Sequence, residues 1–583
     1  MKPDSFDTSP TYDARGGFEL NRLSLVALLL VVALYVAARL WRLDATCLWF
    51  DELFGVHAAR HTWGGMLRFV AADLIHPPLF YALLKIWVAA GGESLLWLRL
   101  LPALTSFAAI VPVLLLARGL RLGAKETTLA LLLMAANGYL IKYAQEVRMY
   151  SLLLLLTLSS LWLFVEFSNA GRKTRGVLLA LFAVNLLLVY THYYGWLVVA
   201  VETLFVLFRN RSKLPSFLFG VAALLVCFAP WVYACLAAAG EGGGLAQNIG
   251  WQTRPGASDL WQLFALFHEP FHFRQSSAAP PIARWGAPLG FILITTPLVI
   301  HLLRRRQSGT ASDGEREKTS ADGGRESGSV SDDEQGRSVG DDVQSGSLSD
   351  GERPNATHFL LAFALAPVPL AFVLSYVLPV SVWGTRHLIV AAAPYLLLGA
   401  VALVRLRPAW LRAAALVALG CWLAFAALAG VLRREGPFIW CAWGDLVARA
   451  LRDEPAGAPF DVYAFEDLVA YHLWFAAQGE AHHARPNVAV VKNVPGLFED
   501  PAYFLPRRFA GVAVLQPSAL EGERLWLAFR DNSFDEGRPP LNILKERGYR
   551  VERVFETSAQ GQRAFLVLVS REGGARPAVP GSD

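Results

Sequence analysis

Charged residues are scarce in this chain of 583 residues, and the shortage excludes an ordinary soluble protein. Asp, Glu, Lys and Arg make up 17% of the sequence, whereas hydrophobic residues make up 54%. Soluble domains are about 25% charged. The apolar residues come in runs of roughly 18–23, the length that an α-helix needs to cross a bilayer core. The composition therefore predicts a polytopic α-helical membrane protein.

Cysteine is rare as well, and several catalytic motifs are missing. The five cysteines, Cys47, Cys227, Cys235, Cys421 and Cys441, show neither a CxxC pair nor the Cys/His spacing of a zinc site. We therefore expect no zinc site and no disulfide framework. The sequence also lacks a Walker motif, an HExxH motif and a recognisable Ser or Cys nucleophile. The net charge of +5 lies in short loops, so no nucleic-acid partner is expected.

Eleven apolar runs are predicted to span the membrane. They cover residues 23–41, 97–117, 127–144, 150–167, 177–191, 194–208, 215–236, 286–303, 358–378, 388–404 and 409–431. Clusters of Lys and Arg fall in every second loop, and such clusters are typical of the cytoplasmic side. This pattern predicts a multi-pass protein of the plasma (inner) membrane. Its N-terminus lies in the cytoplasm and its C-terminal part lies outside.

The segment 77–91 is apolar but short, and it contains Lys85. If it crossed the membrane, all later loops would be inverted and their basic clusters would lie outside, against the usual charge rule. We therefore predict a helix that lies along the outer membrane interface.

Composition divides the chain into five parts. A cytoplasmic tail (1–22) precedes a membrane module (23–306) with an outer loop at 42–96, and further transmembrane helices occupy 358–434. Between them, residues 307–353 contain ten Ser and twelve acidic residues. The loop 307–357 is therefore predicted to be disordered and cytoplasmic.

Residues 435–583 have a different pattern from the rest of the chain. Helical periodicity at 445–452, 466–478 and 541–547 alternates with short β-like runs, which begin near residues 460, 488, 511, 525 and 564. This alternation predicts an extracytoplasmic α/β domain.

Four polar segments interrupt the apolar sequence, and the predicted topology returns all four to the outer face. Their ionisable and aromatic members are Asp51, Glu52 and His76 in the loop after the first span, Glu146, Arg148 and Tyr150 after the third, His192 after the fifth, and Arg386 and His387 after the ninth. Ionisable groups near bilayer depth are costly, so they are functional candidates by default.

Each polar residue also has a purely structural interpretation. Asp51-Glu52 would cap the interfacial helix, and His76-Pro-Pro would merely begin it. Glu146 with Arg148 would form an interfacial ion pair. His192 would be an ordinary interfacial histidine, and the Arg386 side chain would extend toward lipid headgroups. The convergence of all four segments on one face favours a functional site instead.

The residue types in these segments indicate acid–base chemistry beside a phosphate. A carboxylate can deprotonate an acceptor hydroxyl, and arginine can bind a phosphate in bidentate fashion and stabilise it as a leaving group. These are the requirements of glycosyl transfer from a lipid phosphate. We expect the donor phosphate to be bound by Arg148, Arg386, His76, His192, Tyr150 and His387.

The motifs resemble those of the GT-C glycosyltransferases, such as the protein O-mannosyltransferases and the lipid A aminoarabinose transferases. The resemblance lies in Asp51-Glu52, in His76-Pro-Pro-Leu-Phe-Tyr and in the run from Tyr143 to Tyr150. It implies that Asp51 is the catalytic base and that Glu52 and Glu146 line the same site. It also implies a polyprenyl-phosphate sugar donor, an extracytoplasmic acceptor (protein, lipid or glycan) and an inverting displacement.

The same resemblance makes residues 23–306 a GT-C-like catalytic module. Some relatives bind a divalent metal and others do not. No dedicated ligand set is visible in the sequence, so we predict no metal or other cofactor. The alternative function is a transporter or flippase of lipid-linked sugars. It would predict charges at the bilayer midplane, broken helices and internal repeats. No repeat is found, and the charges lie at one edge of the membrane in the predicted topology.

Overall fold

The structure, a computed structural model, describes most of the chain. The described residues are 21–169, 174–240, 250, 252–271, 286, 288–304, 355–432, 439–454, 460–478, 486–497, 504–506, 509–530, 534–559 and 562–571. The predicted cytoplasmic tail and the predicted disordered loop lie almost entirely outside these residues.

The named secondary-structure elements of the membrane part are all helices in the described residues, joined by turns and loops. Its helices are α1 (Arg22–Leu40), α2 (Phe50–Arg60), α3 (Trp63–Asp73), α4 (Leu79–Gly91), α5 (Leu95–Ala108), α6 (Ile110–Gly119), α7 (Ala124–Ala136), α8 (Gly138–Ala144), α9 (Tyr150–Asn169), α10 (Thr174–Thr191), α11 (Gly195–Arg209), α12 (Leu214–Gly240), α13 (Ala257–His268), α14 (Pro288–Arg304), α15 (Ala356–Leu365), α16 (Pro367–Val377), α17 (Ile389–Val404) and α18 (Ala409–Leu432).

Seven helical segments among the described residues are long and apolar enough to cross a membrane. They are Arg22–Leu40, Leu95–Gly119, Tyr150–Asn169, Arg211–Gly240, Ala356–Val377, Thr385–Val404 and Ala409–Leu432. Each coincides with a predicted span, which confirms a polytopic membrane protein. The predicted spans at 177–191, 194–208 and 286–303 are also helical, as α10, α11 and α14, but these helices are shorter.

The predicted span at 127–144 is not one continuous helix. It is divided at Asn137 into α7 and α8. The Asn137 side chain accepts a hydrogen bond from the Leu140 amide at 2.9 Å and so caps the second helix. The backbone of Asn137 also pairs with Pro270. This break brings the polar turn after α8 close to other loops, and apolar periodicity alone did not reveal it.

The predicted outer loop 42–96 contains three helices, α2, α3 and α4. The helix predicted at 77–91 is present as α4, while its position at a membrane interface stays a prediction. Lys85 donates a hydrogen bond to the Ala59 carbonyl at 3.0 Å. This carbonyl lies at the C-terminal end of α2, where the helix dipole is negative, so the lysine cation stabilises that end. The contact explains why an apolar helix contains a lysine.

The C-terminal part folds as the predicted α/β domain. Its six strands form one sheet in the order β3-β2-β1-β4-β6-β5, and β3, β2, β1 and β4 are parallel. The elements are α19 (Ala442–Asp453), β1 (Asp461–Ala464), α20 (Asp467–Ala477), β2 (Asn487–Val491), β3 (Ala513–Leu515), β4 (Arg524–Arg530), α21 (Leu541–Glu546), β5 (Tyr549–Ala559) and β6 (Gln562–Arg571).

Strand β5 was not predicted, because it is an edge strand with a largely polar sequence. Antiparallel pairing with β6 defines it. Helix α20 packs on α2, where the Tyr471 hydroxyl and His57 Nδ1 are 3.0 Å apart and hydrogen-bonded. The domain is therefore attached to the same helix that carries Asp51.

A disulfide joins Cys47 to Cys441, which corrects the expectation that the cysteines form none. The two residues are 394 positions apart, and their Cα atoms are 5.4 Å apart. Sequence spacing gives no signal for such a pair, because only the tertiary fold brings the loop before α2 beside the start of the C-terminal domain. The bond is a second attachment between the two parts.

Candidate functional site

The four polar segments surround one cavity of about 520 Å³. Its walls include the start of α2, the turn between α3 and α4, the turn between α10 and α11, and the 3₁₀ turn Thr385–Leu388 that precedes α17. A cavity of this size accommodates a small ligand. The ionisable residues that line it, apart from tyrosines, are Asp51, Asp73, His76, Arg148, His192, Asp259, Arg386 and His387.

Asp51 lies in the first turn of α2 and faces this cavity. Its Oδ2 accepts a hydrogen bond from Arg386 Nη1 at 2.8 Å. The Asp51 side chain is 20% exposed and that of Arg386 is 27% exposed, so both groups are accessible from the cavity. The fold thus brings together the two residues that the sequence assigned to proton transfer and phosphate binding.

Glu52 lies behind the cavity wall, although the resemblance implied that it lines the site. It is fully buried, and it lies 3.6 Å from Arg99. The Val147 amide donates a hydrogen bond to Glu52 at 2.8 Å. Arg99 in turn donates to the carbonyls of Leu43 and Cys47 at 2.8 and 2.9 Å. A buried carboxylate is retained only where it is paired. Through Arg99, Glu52 therefore positions the segment before α2.

Glu146 is also buried behind the wall and does not line the cavity. It accepts a hydrogen bond from the Trp49 indole at 3.2 Å. Its neighbour Gln145 donates to the carbonyls of Arg39 and Trp41 at 3.1 and 2.9 Å. These bonds fix the turn after α8 against the end of α1, and the implied role of Glu146 in the site stays a prediction.

Arg148 reaches the cavity from this turn as a buried cation. Its guanidinium donates to the Asp51 carbonyl at 3.0 Å and lies 3.4 Å from the Tyr81 hydroxyl. In the described part of the chain, no carboxylate lies within ion-pair distance of Arg148, and its Nε has no hydrogen-bond partner. A buried, unpaired cation is costly, and an anion in the cavity would stabilise it.

His76, His192 and His387 form a buried cluster beside the two arginines. Their ring centroids are 4.6 to 6.3 Å apart. Burial and the nearby Arg148 and Arg386 charges lower the pKa of His192 to about 3. Burial and Arg148 also hold the pKa of His76 well below its usual value. Both imidazoles are therefore neutral at pH 7.

Tyr150 packs against this cluster from behind the cavity. Its ring stacks on His387 with centroids 6.2 Å apart, and it does not line the cavity. Tyr150 therefore contacts the histidines, and its predicted role in binding the donor stays a prediction.

Several lining residues were missed in the sequence. Asp73 and Asp259 are the clearest, because each adds a carboxylate to the cavity. Asp73 lies three residues before His76, and that proximity is a signal that could have identified it. No signal marks Asp259, Trp383 or Phe504, since the tertiary fold alone brings α13, the segment before the 3₁₀ turn and the C-terminal domain to the cavity.

No known protein-family profile matches this sequence, and no curated protein matches it either. Similar solved structures do exist. The crystal structure of ArnT from Cupriavidus metallidurans, bound to undecaprenyl phosphate, is 14% identical, with a TM-score of 0.50. The match covers 95% of this chain and 99% of that one.

The archaeal oligosaccharyltransferase AglB from Archaeoglobus fulgidus, in complex with an inhibitory peptide and a dolichol-phosphate, is also 14% identical. Its TM-score is 0.40, and the match covers 80% of this chain and 64% of that one, so this chain spans less than two thirds of that protein. The match to ArnT shows that the chain has the fold of that structure, which agrees with the fold that the resemblance of its motifs implied.

Proposed function

We propose that this protein is an inverting glycosyltransferase that moves a sugar from a polyprenyl-phosphate carrier to an extracytoplasmic acceptor. The observation that carries the proposal is the pair of guanidinium groups, Arg148 and Arg386, in a cavity that also holds the Asp51 carboxylate. The fold supports it, because the similar ArnT structure contains undecaprenyl phosphate.

In the proposed reaction, Asp51 takes the proton of the acceptor hydroxyl as the oxygen attacks the anomeric carbon. The bond between the anomeric carbon and the carrier phosphate breaks, and the phosphate leaves with the electron pair. Arg148 and Arg386 stabilise the negative charge on the departing phosphate. A single displacement inverts the anomeric configuration, by the same geometry that applies to inverting glycosidases.

Arg386 has a double role in this scheme. Without a donor it is paired with Asp51 at 2.8 Å. When the carrier phosphate binds the guanidinium, the Asp51 carboxylate is released from this pair and is free to meet the acceptor hydroxyl.

We further propose that the cavity faces the outside of the plasma (inner) membrane, with the N-terminus in the cytoplasm. The alternation of basic loops supports this orientation. The Cys47–Cys441 disulfide supports it independently, because disulfides persist in oxidising compartments and are rare in the cytosol. One of its two cysteines, Cys47, lies four residues before Asp51, so the bond supports an outer position for the site itself.

A transfer assay with purified full-length protein tests the function. The protein would be incubated with a panel of radiolabelled undecaprenyl-phosphate sugars and a membrane extract as acceptor source. We expect one label to leave the carrier and to become covalently attached with inverted anomeric configuration.

A matched pair of variants provides the control for that assay. Arg386→Lys should lower transfer more than its retained charge suggests, because lysine cannot bind a phosphate in bidentate fashion. Arg449→Lys, in an exposed pair with Asp445, should have no effect. Movement of labelled lipid across a vesicle membrane without covalent transfer would instead indicate a flippase.

A further inference from the structure

The three-histidine cluster has the spacing of a metal site, and its chemistry decides between a metal and an anion. One ring nitrogen from each of His76, His192 and His387 lies within 4.8 Å of the others. The edge of a tetrahedral zinc site with Zn–N bonds of 2.0–2.1 Å is about 3.3 Å. Small side-chain rotations would therefore bring the three nitrogens to ligand distance, so distance alone permits a metal.

Hydrogen bonding determines which group His192 presents to the cluster. Its Nδ1 accepts a hydrogen bond from the Tyr194 amide at 3.1 Å. A neutral imidazole that accepts through Nδ1 carries its proton on Nε2. The Nε2 atom of His192 is buried and has no hydrogen-bond partner in the described part of the chain. His192 thus presents an N–H donor, whereas a metal requires a lone pair.

The other two histidines are compatible with an anion. A guanidinium nitrogen of Arg148 lies 3.4 Å from both ring nitrogens of His76, and guanidinium groups only donate hydrogen bonds. Whichever His76 nitrogen has the lone pair therefore lies beside a cation. His387 has an Nε2 that is buried without a partner, so this atom is free to carry the proton and to donate it to a ligand, and His387 follows Arg386 directly in the sequence. A divalent ion here would lie beside two positive charges, so the donor set does not fit a divalent metal.

We propose that His76, His192 and His387 form a metal-independent anion subsite, in which the Nε2–H groups of His192 and His387 donate hydrogen bonds to the carrier phosphate. His76 orients Arg148 toward the same ligand. The proposal rests on the proposed function, because the carrier phosphate is the anion that the transferase would bind. The two histidine N–H groups would stabilise the negative charge of the phosphate, as a divalent cation does in metal-dependent transfer.

Gly384 is part of this subsite because it leaves room for His387. A Cβ atom at position 384 would lie 2.4 Å from His387 Nδ1, well inside van der Waals contact. Gly384→Ala should therefore displace the ring and reproduce the effect of removing the His387 side chain.

Binding of undecaprenyl phosphate to the purified full-length protein, measured by native mass spectrometry, tests the subsite. His192→Leu and His387→Leu should each weaken binding by about tenfold, since each removes one charge-assisted hydrogen bond. His192→Gln keeps an N–H donor near the position of Nε2 and should retain most of the affinity. His301→Gln, which does not line the cavity, is the control, and thermal unfolding identifies any variant that fails to fold.

Metal content gives a second measurement that does not depend on activity. The protein would be saturated with Zn²⁺ or Mn²⁺, dialysed and analysed by elemental mass spectrometry. We expect no stoichiometric metal in the wild-type protein. One equivalent that is retained by the wild type and lost in His192→Gln would overturn the subsite and assign a metal site in its place.

The outcomes separate this inference from the proposed function. If sugar transfer occurs but both leucine variants bind undecaprenyl phosphate like the wild type, the subsite is wrong and the transferase remains. If the folded wild-type protein neither binds the lipid phosphate nor transfers any sugar, the proposed function itself is wrong.

Discussion

Replacement of Asp51 by Asn is the most informative perturbation of the site. The amide keeps the size of the side chain and one acceptor oxygen but cannot take a proton. If Asp51 is the general base, turnover should fall by about 10²–10⁴, the usual contribution of such catalysis. The loss should appear in turnover, since the substitution leaves Arg148 and the histidines in place.

Donor binding should change in the opposite direction. The Asp51–Arg386 pair is about a quarter exposed, so solvent screening limits its contribution to about 1 kcal/mol or less. Loss of the pair frees Arg386 and removes a negative charge near the phosphate. Affinity for undecaprenyl phosphate should therefore stay the same or rise by up to about fivefold.

The purely structural interpretation of Asp51 makes a different prediction. As a residue in the first turn of α2, its charge would stabilise the helix end by about 0.3–1 kcal/mol. The variant would then be slightly less stable and fully active. A transfer assay and a lipid-binding measurement on the same preparation distinguish the two, with Asp445→Asn as the exposed control. Wild-type turnover in the Asp51 variant would refute its role as the base.

Three further predictions concern the rest of the molecule. Cys47→Ser and Cys441→Ser should each lower stability by about 2–4 kcal/mol and the double variant by no more than either, as thermal unfolding would show; labelling of both cysteines by a thiol reagent in the untreated protein would contradict the disulfide. Glu202 is buried and accepts hydrogen bonds from Ser160 and Asn185. Glu202→Ala should therefore lower the melting temperature, while Glu202→Gln should largely preserve it. Equal losses of melting temperature in the two variants, measured in a thermal scan, would mean that the carboxyl is ionised. A reporter fused after residue 122 should read as cytoplasmic in an alkaline phosphatase assay, and an external signal would invert the proposed orientation.

The fold class and the chemical character of the site could be predicted from the sequence. Long apolar runs and a scarcity of charge specify membrane helices through local composition, and the alternation of short β-like and helical patterns specifies the C-terminal α/β domain. Asp51, Arg148 and Arg386 stand out because ionisable groups are costly in such surroundings. These signals are local in the sequence, so they can be recognised without the tertiary structure.

Only the tertiary structure decided which polar residues face the cavity and which support it. Glu52 and Glu146 are as conspicuous in the sequence as Asp51, yet both are buried behind the wall. Adjacent residues on a helix point about 100° apart, so Asp51 and Glu52 cannot share one direction. When one of the two is held by a buried partner, the other is left to face the cavity. Here Glu52 is held beside Arg99, 47 positions away in the sequence.

The Cys47–Cys441 bond and the histidine cluster have the same physical origin. Each brings together residues that are more than a hundred positions apart in the sequence. Each depends on the positions of helix ends in the tertiary structure. Composition and periodicity determined that this protein lies in a membrane and carries a polar site. The packing of its helices determined the geometry of that site, because distances between side chains from separate segments are set by tertiary contacts alone.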